Sequence, residues 1–302
     1  MSKVALEEGE RFGNIGRCAI DYLSLIKPRI VFLLVFSCFS AMMVAHHGFP
    51  NSWTTVFTAL GLALSAGGAN AINMWYDRDI DAVMERTKNR PLPAERLPAR
   101  NALIFGITLE SISIALLLLT AGLWATFFST LGFFYYVFLY TMWLKRRTPQ
   151  NIVIGRAAGA FPPLVGWAAM TGGIAVAPWI MFLIVFLWTP AHFWSLAISK
   201  KEEYRKARVP MLPVALGERA ARRQSLLYNL LLLPVSVALF FTGAVGKVYL
   251  VAAFLLGIGF IFMSVKLIFE QARSSSVWAE RTFHYSIFYL TALFTVMLAD
   301  IR

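Results

Sequence analysis

The chain has 302 residues, 58% of them hydrophobic and only 15% charged, with a formal net charge of +12 and a mean hydropathy of +0.64. A soluble domain carries about 25% charged residues, so an ordinary water-soluble fold is excluded and lipid is the expected solvent. The positive charge does not point to nucleic acid. Lys and Arg sit in short segments between long apolar runs, which is the pattern of membrane topology.

Residues 1–27 are expected to form a short segment ahead of the membrane. They hold Glu7, Glu8, Glu10 and Asp21 and no short apolar core with a cleavage site, so neither a signal peptide nor a mitochondrial transit peptide is expected. A bacterial inner membrane is the simplest address. Cys18 and Cys38 have no metal or redox spacing, and Cys38 falls inside an apolar run.

A hydrocarbon core of about 30 Å needs about 20 apolar residues per helix. Nine runs qualify, at roughly 28–46, 52–73, 102–121, 123–143, 151–172, 177–198, 226–245, 247–269 and 283–300. The expected fold is therefore all-α, a polytopic bundle of nine transmembrane helices in one domain spanning 1–302. Gly67, Gly68, Pro162, Pro163, Pro190 and Pro234 are compatible with such helices, because neighbouring groups satisfy the backbone they free. Counting residues at the helix edges, the N-terminal segment carries five Lys or Arg, the second loop six, the fourth three, the sixth eight and the eighth three, 25 of 28 in all. The positive-inside rule then places the N-terminus and the even-numbered loops in the cytoplasm. Two long loops, 74–101 and 199–225, are separated by four membrane passes and form a cap on that face.

The first long loop brings Asn73, Asp77 and Asp81 at i, i+4 and i+8. Each step of four advances only about 40° around a helix, so the three share one face. Two carboxylates and an amide oxygen suit a hard cation such as Mg²⁺, which takes few protein oxygens and completes its shell with water and phosphate. Arg78, Arg86, Lys88 and Arg90 follow and could meet phosphate charge. A solvated, salt-bridged loop helix is the bland alternative; Asn73 argues against it, because an amide closing an apolar helix needs a partner. Asp79 lies off the face and reads as solvated.

In the second long loop Glu202 and Glu203 could supply a second cation pole, with Lys200, Lys201 and Arg205 beside them. A charged run at a membrane edge is more often simply solvated. Lys145-Arg146-Arg147, at the end of the fourth span, reads equally as a topological anchor and as a substrate contact. His46, His47 and His284 sit at helix ends. His192, within the sixth span, is an ionisable group in an apolar helix and hence a functional candidate. A hydrogen-bonded packing histidine is the competing reading, whereas a neutral imidazole would suit haem iron. Together these parts describe a site for a lipid diphosphate, with the isoprenoid tail in the apolar interior.

N-x-x-x-D-x-x-x-D followed by R-x-x-x-R-P-L-P resembles the first Asp-rich motif of the UbiA-type intramembrane prenyltransferases. The stretches M-W-Y-D-R-D-I-D-A-V-M-E-R-T, Y-T-M-W-L-K-R-R-T-P-Q-N-I-V-I-G, A-A-G-A-F-P-P-L-V-G-W and W-T-P-A-H-F-W-S-L-A-I are similar to the haem-farnesylating branch of that family, from about Lys27 to the last helix. The resemblance implies a UbiA-type bundle and transfer of farnesyl from farnesyl diphosphate to a vinyl group of haem b, with addition of water. Haem b is then a substrate rather than a cofactor, Mg²⁺ the divalent cation, and a haem A synthase a possible downstream partner. It implies Asn73, Asp77 and Asp81 as catalytic and metal-binding, joined at the metal by Glu202 and Glu203. Arg78, Arg86, Arg90, Lys145, Lys200 and Lys201 would hold the diphosphate, and His192 the haem. The sequence departs from the branch at Arg156, Ala191 and Arg208, where Gly, Pro and Gly are expected. Two alternatives stand beside this reading. A UbiA-type enzyme could prenylate an aromatic or quinone precursor instead. A transporter with a charged gate is the other, but Glu110, Arg156 and His192 are too few core ionisable groups for an ion path.

Overall fold

The computed structural model describes residues 16–50, 53–270 and 277–302; Glu7, Glu8 and Glu10, and the expectations resting on them, lie outside these. The chain begins with α1 (16–26), followed by α2 (Pro28–His46), α3 (Trp53–Tyr76), the short α4 (Arg78–Val83), α5 (Ala99–Thr120) and α6 (Leu123–Phe134). The fourth span then widens into a π-helix over Tyr135–Trp143. The fifth span is broken: 3₁₀ turns at Pro149–Asn151 and Gly155–Ala160 precede α7 (Pro162–Thr171). There follow α8 (Val176–Ser199), the short α9 (Lys201–Lys206) and α10 (Leu212–Ala215), then α11 (Glu218–Ala238), α12 (Lys247–Phe269) and α13 (Val277–Ala299). Among the described residues nine spans are long and apolar enough to cross a membrane, matching the nine runs expected.

Two differences from the sequence reading have clear causes. Helix α11 starts at Glu218, well before the apolar run near 226, because its first two turns are polar and hydropathy cannot see them. The fifth span is not a continuous α-helix: proline at 149, 162 and 163 removes backbone donors, and the chain answers with 3₁₀ turns.

The spans bury their faces in two main apolar clusters. Ile184, Tyr249, Phe260, Leu293 and their neighbours join α8, α11, α12 and α13, while Met42, Leu117, Phe128 and Leu164 join α2, α5, α6 and α7. Helix α2 contributes to both. Close approach of α3 and α5 depends on small residues: a Cβ at Gly68 would sit 2.6 Å from the Gly106 carbonyl oxygen. Leu119, Phe241 and Phe269 stay exposed, as lipid-facing side chains do. At one end of the bundle Ile80, Met84, Ile152, Tyr204, Val209 and Met211 pack together, so the two long loops form one body over the helices. Asp21 on α1 is tied into it by Arg96, whose Nε donates to both carboxylate oxygens at 3.0 and 3.1 Å.

Candidate active site

Asn73 lies in the last turn of α3, Asp77 at the break, and Asp81 in α4. The break is slight. The Asp77 amide donates to the Asn73 carbonyl at 2.9 Å and the Asp81 amide to the Asp77 carbonyl at 2.8 Å, so helical spacing carries through. All three side chains are buried, whereas the Asp79 side chain is 61% exposed and paired with Arg146. The hydrogen bonds from Arg146 hold Asp79 below the usual carboxylate range.

Each buried acid meets a base. Asp77 Oδ2 accepts from Asn73 Nδ2 at 2.7 Å and from Lys145 Nζ; Asp81 Oδ2 accepts from Arg90 at 2.6 Å. Asp77 Oδ1 is buried without a hydrogen bond, with only the Arg146 guanidinium at 3.6 Å. Charges this deep need such partners.

Lys27, unrecognised from sequence as a site residue, completes the pole. It separates α1 from α2 in a left-handed conformation (φ 54°, ψ 67°), and the following Pro28 disfavours the right-handed helical one. That kink sends Nζ to Asn73 Oδ1 at 2.9 Å, and Asn70 fixes it by donating to the Ile26 carbonyl at 3.1 Å. Burial lowers the Lys27 pKa well below 10.5, and the positive charges of Arg90 and Arg156 lower it further. The signal was a lysine directly before the proline that opens an apolar run, easily read as an anchor.

A cavity of about 450 Å³ opens beneath this pole, and Lys27, Asn73, Asp81, Arg86, Arg90 and Lys145 reach its wall. Asp77 sits behind Lys145 rather than on the wall. Several expected contacts are not brought here. Arg78 turns outward, donating to the Trp75 carbonyl at 2.7 Å. Glu202 pairs with Arg205 at 2.7 Å in solvent, Lys201 with Glu218 at 3.0 Å, and Lys200 with Glu203 at 3.7 Å. The reason is the amphipathic set of α9. Tyr204 faces inward, and with Val209 and Met211 roofs the cavity, so the flanking charges face away. The second cation pole is therefore not assembled by Glu202 and Glu203 on the cavity wall.

Deeper in, the cavity is aromatic. The π-helix presents Tyr136 and Tyr140, a use of that wide turn common at functional sites. His192 lines the cavity and is sandwiched between Trp188 (4.4 Å, 18°) and Phe283 (4.7 Å, 25°). Its Nδ1 lies 2.7 Å from Ser286 Oγ. The Ser286 hydroxyl spends its one hydrogen on the Phe283 carbonyl at 2.5 Å. Nδ1 must then carry the ring proton and donate, which leaves Nε2 with a free lone pair. Beyond these rings the wall is apolar, formed by residues such as Leu33, Leu62, Phe133 and Leu290.

Among the described residues no three His, Cys, Asp or Glu side chains cluster as a ready metal cage. Two buried carboxylates, one with a free oxygen, beside four bases instead suit a cation that arrives with a phosphate ligand.

Residues 34–290 match the UbiA prenyltransferase family. A protein of Symbiobacterium thermophilum described as protoheme IX farnesyltransferase is 54% identical over 95% of each chain. One of Parvibaculum lavamentivorans with the same description is 45% identical over 95% of this chain and 90% of its own. Among solved structures, a digeranylgeranylglyceryl phosphate synthase superposes with a TM-score of 0.77 at 17% identity, covering 93% of this chain and 98% of that one. A UbiA homologue from Archaeoglobus fulgidus bound to GPP and Mg²⁺ superposes with a TM-score of 0.66 at 18% identity, over 92% and 99%. With nine apolar spans among the described residues and a match over most of its length, the chain is a multi-pass membrane protein that belongs to the UbiA prenyltransferase family.

Proposed function

We propose that this protein transfers the farnesyl group of farnesyl diphosphate to a vinyl group of haem b, with addition of water, giving a hydroxyethylfarnesyl haem and diphosphate. The observation that carries this reading is one cavity joining two unlike ends: a buried acid–base pole, and a histidine held between aromatic rings. The near full-length relatives described as protoheme IX farnesyltransferases support the haem acceptor over a quinone precursor. We place the whole chain, 1–302, in one domain in a bacterial inner membrane with the N-terminus and the capped end in the cytoplasm, as the Lys and Arg distribution favours. A haem A-forming enzyme is the natural consumer of the product.

Lys27, Arg86, Arg90 and Lys145 bind the diphosphate, Arg as forks and Lys as point charges. Asn73 and Asp81 on the wall, with Asp77 behind Lys145, would hold Mg²⁺, which would add positive charge against the leaving diphosphate. As the C–O bond breaks, its electron pair leaves with the diphosphate, and the four bases, already in place, stabilise the growing charge. The tail lies along the apolar wall, where each buried methylene contributes about 0.8 kcal/mol. The rings of Tyr136, Tyr140 and Trp188 line the cavity and give the allylic cation an electron-rich, water-excluding wall. The vinyl π-electrons attack that cation, and water adds to the carbon beside the pyrrole and loses a proton. His192 Nε2 is the nitrogen left free to hold the haem iron, its tautomer fixed by Ser286. Incubating the purified protein with farnesyl diphosphate, Mg²⁺ and either haem b or 4-hydroxybenzoate tests the assignment. Farnesylated haem is expected; product only from the aromatic acid would overturn it.

A further inference from the structure

Arg156 takes no part in the chemistry above, yet it lines the same cavity. It stands on the 3₁₀ turn Gly155–Ala160, within a membrane span. Its guanidinium lies 4.0 Å from the Phe193 ring centre, 4.6 Å from Tyr140 and 5.9 Å from Tyr136. Nη2 donates to the Tyr140 hydroxyl at 3.0 Å. The turn is seated on the same ring: a Cβ at Gly155 would come within 2.5 Å of Tyr140 Cδ2.

The other donors are poorly used. A guanidinium has five N–H groups, and Nε is buried without a hydrogen bond. Lys145 and Arg90 each hold a carboxylate, but Arg156 pairs with none among the described residues. Three rings offset part of the cost of a cation in an apolar span; they do not neutralise it. Left uncompensated, that charge would also oppose a carbocation forming in the same cavity. The site therefore calls for an anion that arrives with a substrate.

Two substrates could bring one. The diphosphate end already has Lys27, Arg86, Arg90 and Lys145. Arg156 instead lies against Phe193, whose ring is 5.1 Å from that of His192 at the acceptor end. Contact with three rings holds the guanidinium in place and leaves N–H groups for the two-pronged contact that a carboxylate accepts. We propose that Arg156 is the receptor for a carboxylate of the acceptor, a propionate of the porphyrin in the reading above, on which this inference rests.

The test is a Soret titration of the full-length protein with haem b and with its dimethyl ester, which removes both carboxylates and keeps the iron and vinyl groups. The unsubstituted protein should bind the free acid ~10–100-fold more tightly than the ester, the range of a charge-assisted hydrogen bond to a carboxylate. Arg156→Gln and Arg156→Gly should erase that preference while leaving the KM for farnesyl diphosphate unchanged. Arg156→Lys, a charge without the fork, should keep part of it. Thermal unfolding of each variant, measured alongside, guards against a folding artefact. Equal affinity for acid and ester in the unsubstituted protein overturns the proposal, as does a loss in Arg156→Gln that falls on farnesyl diphosphate instead. No Soret change with either porphyrin would defeat the haem reading itself, a result distinct from these.

Discussion

Asp77 and Asp79 are two residues apart, yet one is buried in the site and the other lies in solvent. The Asp77 side chain is 1% exposed and its partner Lys145 15%, whereas Asp79 is 61% exposed against 32% for Arg146. Asp77→Ala strands the Lys145 ammonium in a buried site, a change costing about 3–5 kcal/mol. Asp79→Ala removes a solvent-screened pair worth about 0–1 kcal/mol. In detergent, thermal unfolding should therefore fall sharply for Asp77→Ala and hardly for Asp79→Ala. Diphosphate release from farnesyl diphosphate and haem should be abolished by Asp77→Ala and Asp81→Ala, at least a 10²-fold loss by the scale of single electrostatic contacts at reacting centres, while Asp79→Ala keeps most activity. Stability and chemistry separate in the double variant Asp77→Ala/Lys145→Met. Removing both charges should recover much of the stability and none of the turnover. Equal activity losses for all three alanine variants would refute the reasoning, as would turnover restored in the double variant.

Three further outcomes are expected. A reporter fused after Arg302 should behave as exported, since nine spans and a cytoplasmic N-terminus put the C-terminus outside; a cytoplasmic signal would break the topology. His192→Ala should raise the haem concentration for half-maximal rate and shift the Soret band of bound haem, with farnesyl diphosphate affinity unchanged; an unaltered spectrum and affinity would make His192 a packing residue. Arg208 holds a left-handed φ of 54°, where a Cβ costs roughly 1–2 kcal/mol against about 0.4–1 kcal/mol for the freer unfolded glycine chain. Arg208→Gly should then stabilise on the order of 0.5 kcal/mol in a denaturation series without loss of activity, and a destabilised variant would contradict the strain argument.

The apolar runs made the nine spans readable, because lipid demands about 20 such residues whatever their order. The Asn73–Asp77–Asp81 face was readable because helical spacing survives the break at Asp77. Arg208 holds a left-handed backbone conformation that glycine adopts without strain. Spacing failed where tertiary contacts decide which way a charge turns. Arg78 and Arg86 look alike in sequence, yet only Arg86 reaches the cavity, while Arg78 folds back on the Trp75 carbonyl. Lys200, Lys201, Glu202 and Glu203 likewise follow the set of α9, fixed by the buried Tyr204 ring. Lys27 was hidden for the opposite reason: its role depends on a kink and on an amide 46 residues away. The π-helix at Tyr135–Trp143 leaves no periodic signature in so apolar a run.

Haem is the acceptor and farnesyl diphosphate the donor in the reaction proposed for this protein. Extracting haem from membranes with and without the expressed protein, and weighing it by mass spectrometry, tests this most directly. A new haem heavier than haem b by one farnesyl group plus the elements of one hydroxyl is expected, absent when Asp81→Ala replaces the unsubstituted protein. Unchanged haem b alongside a newly prenylated aromatic acid or quinone precursor would contradict it.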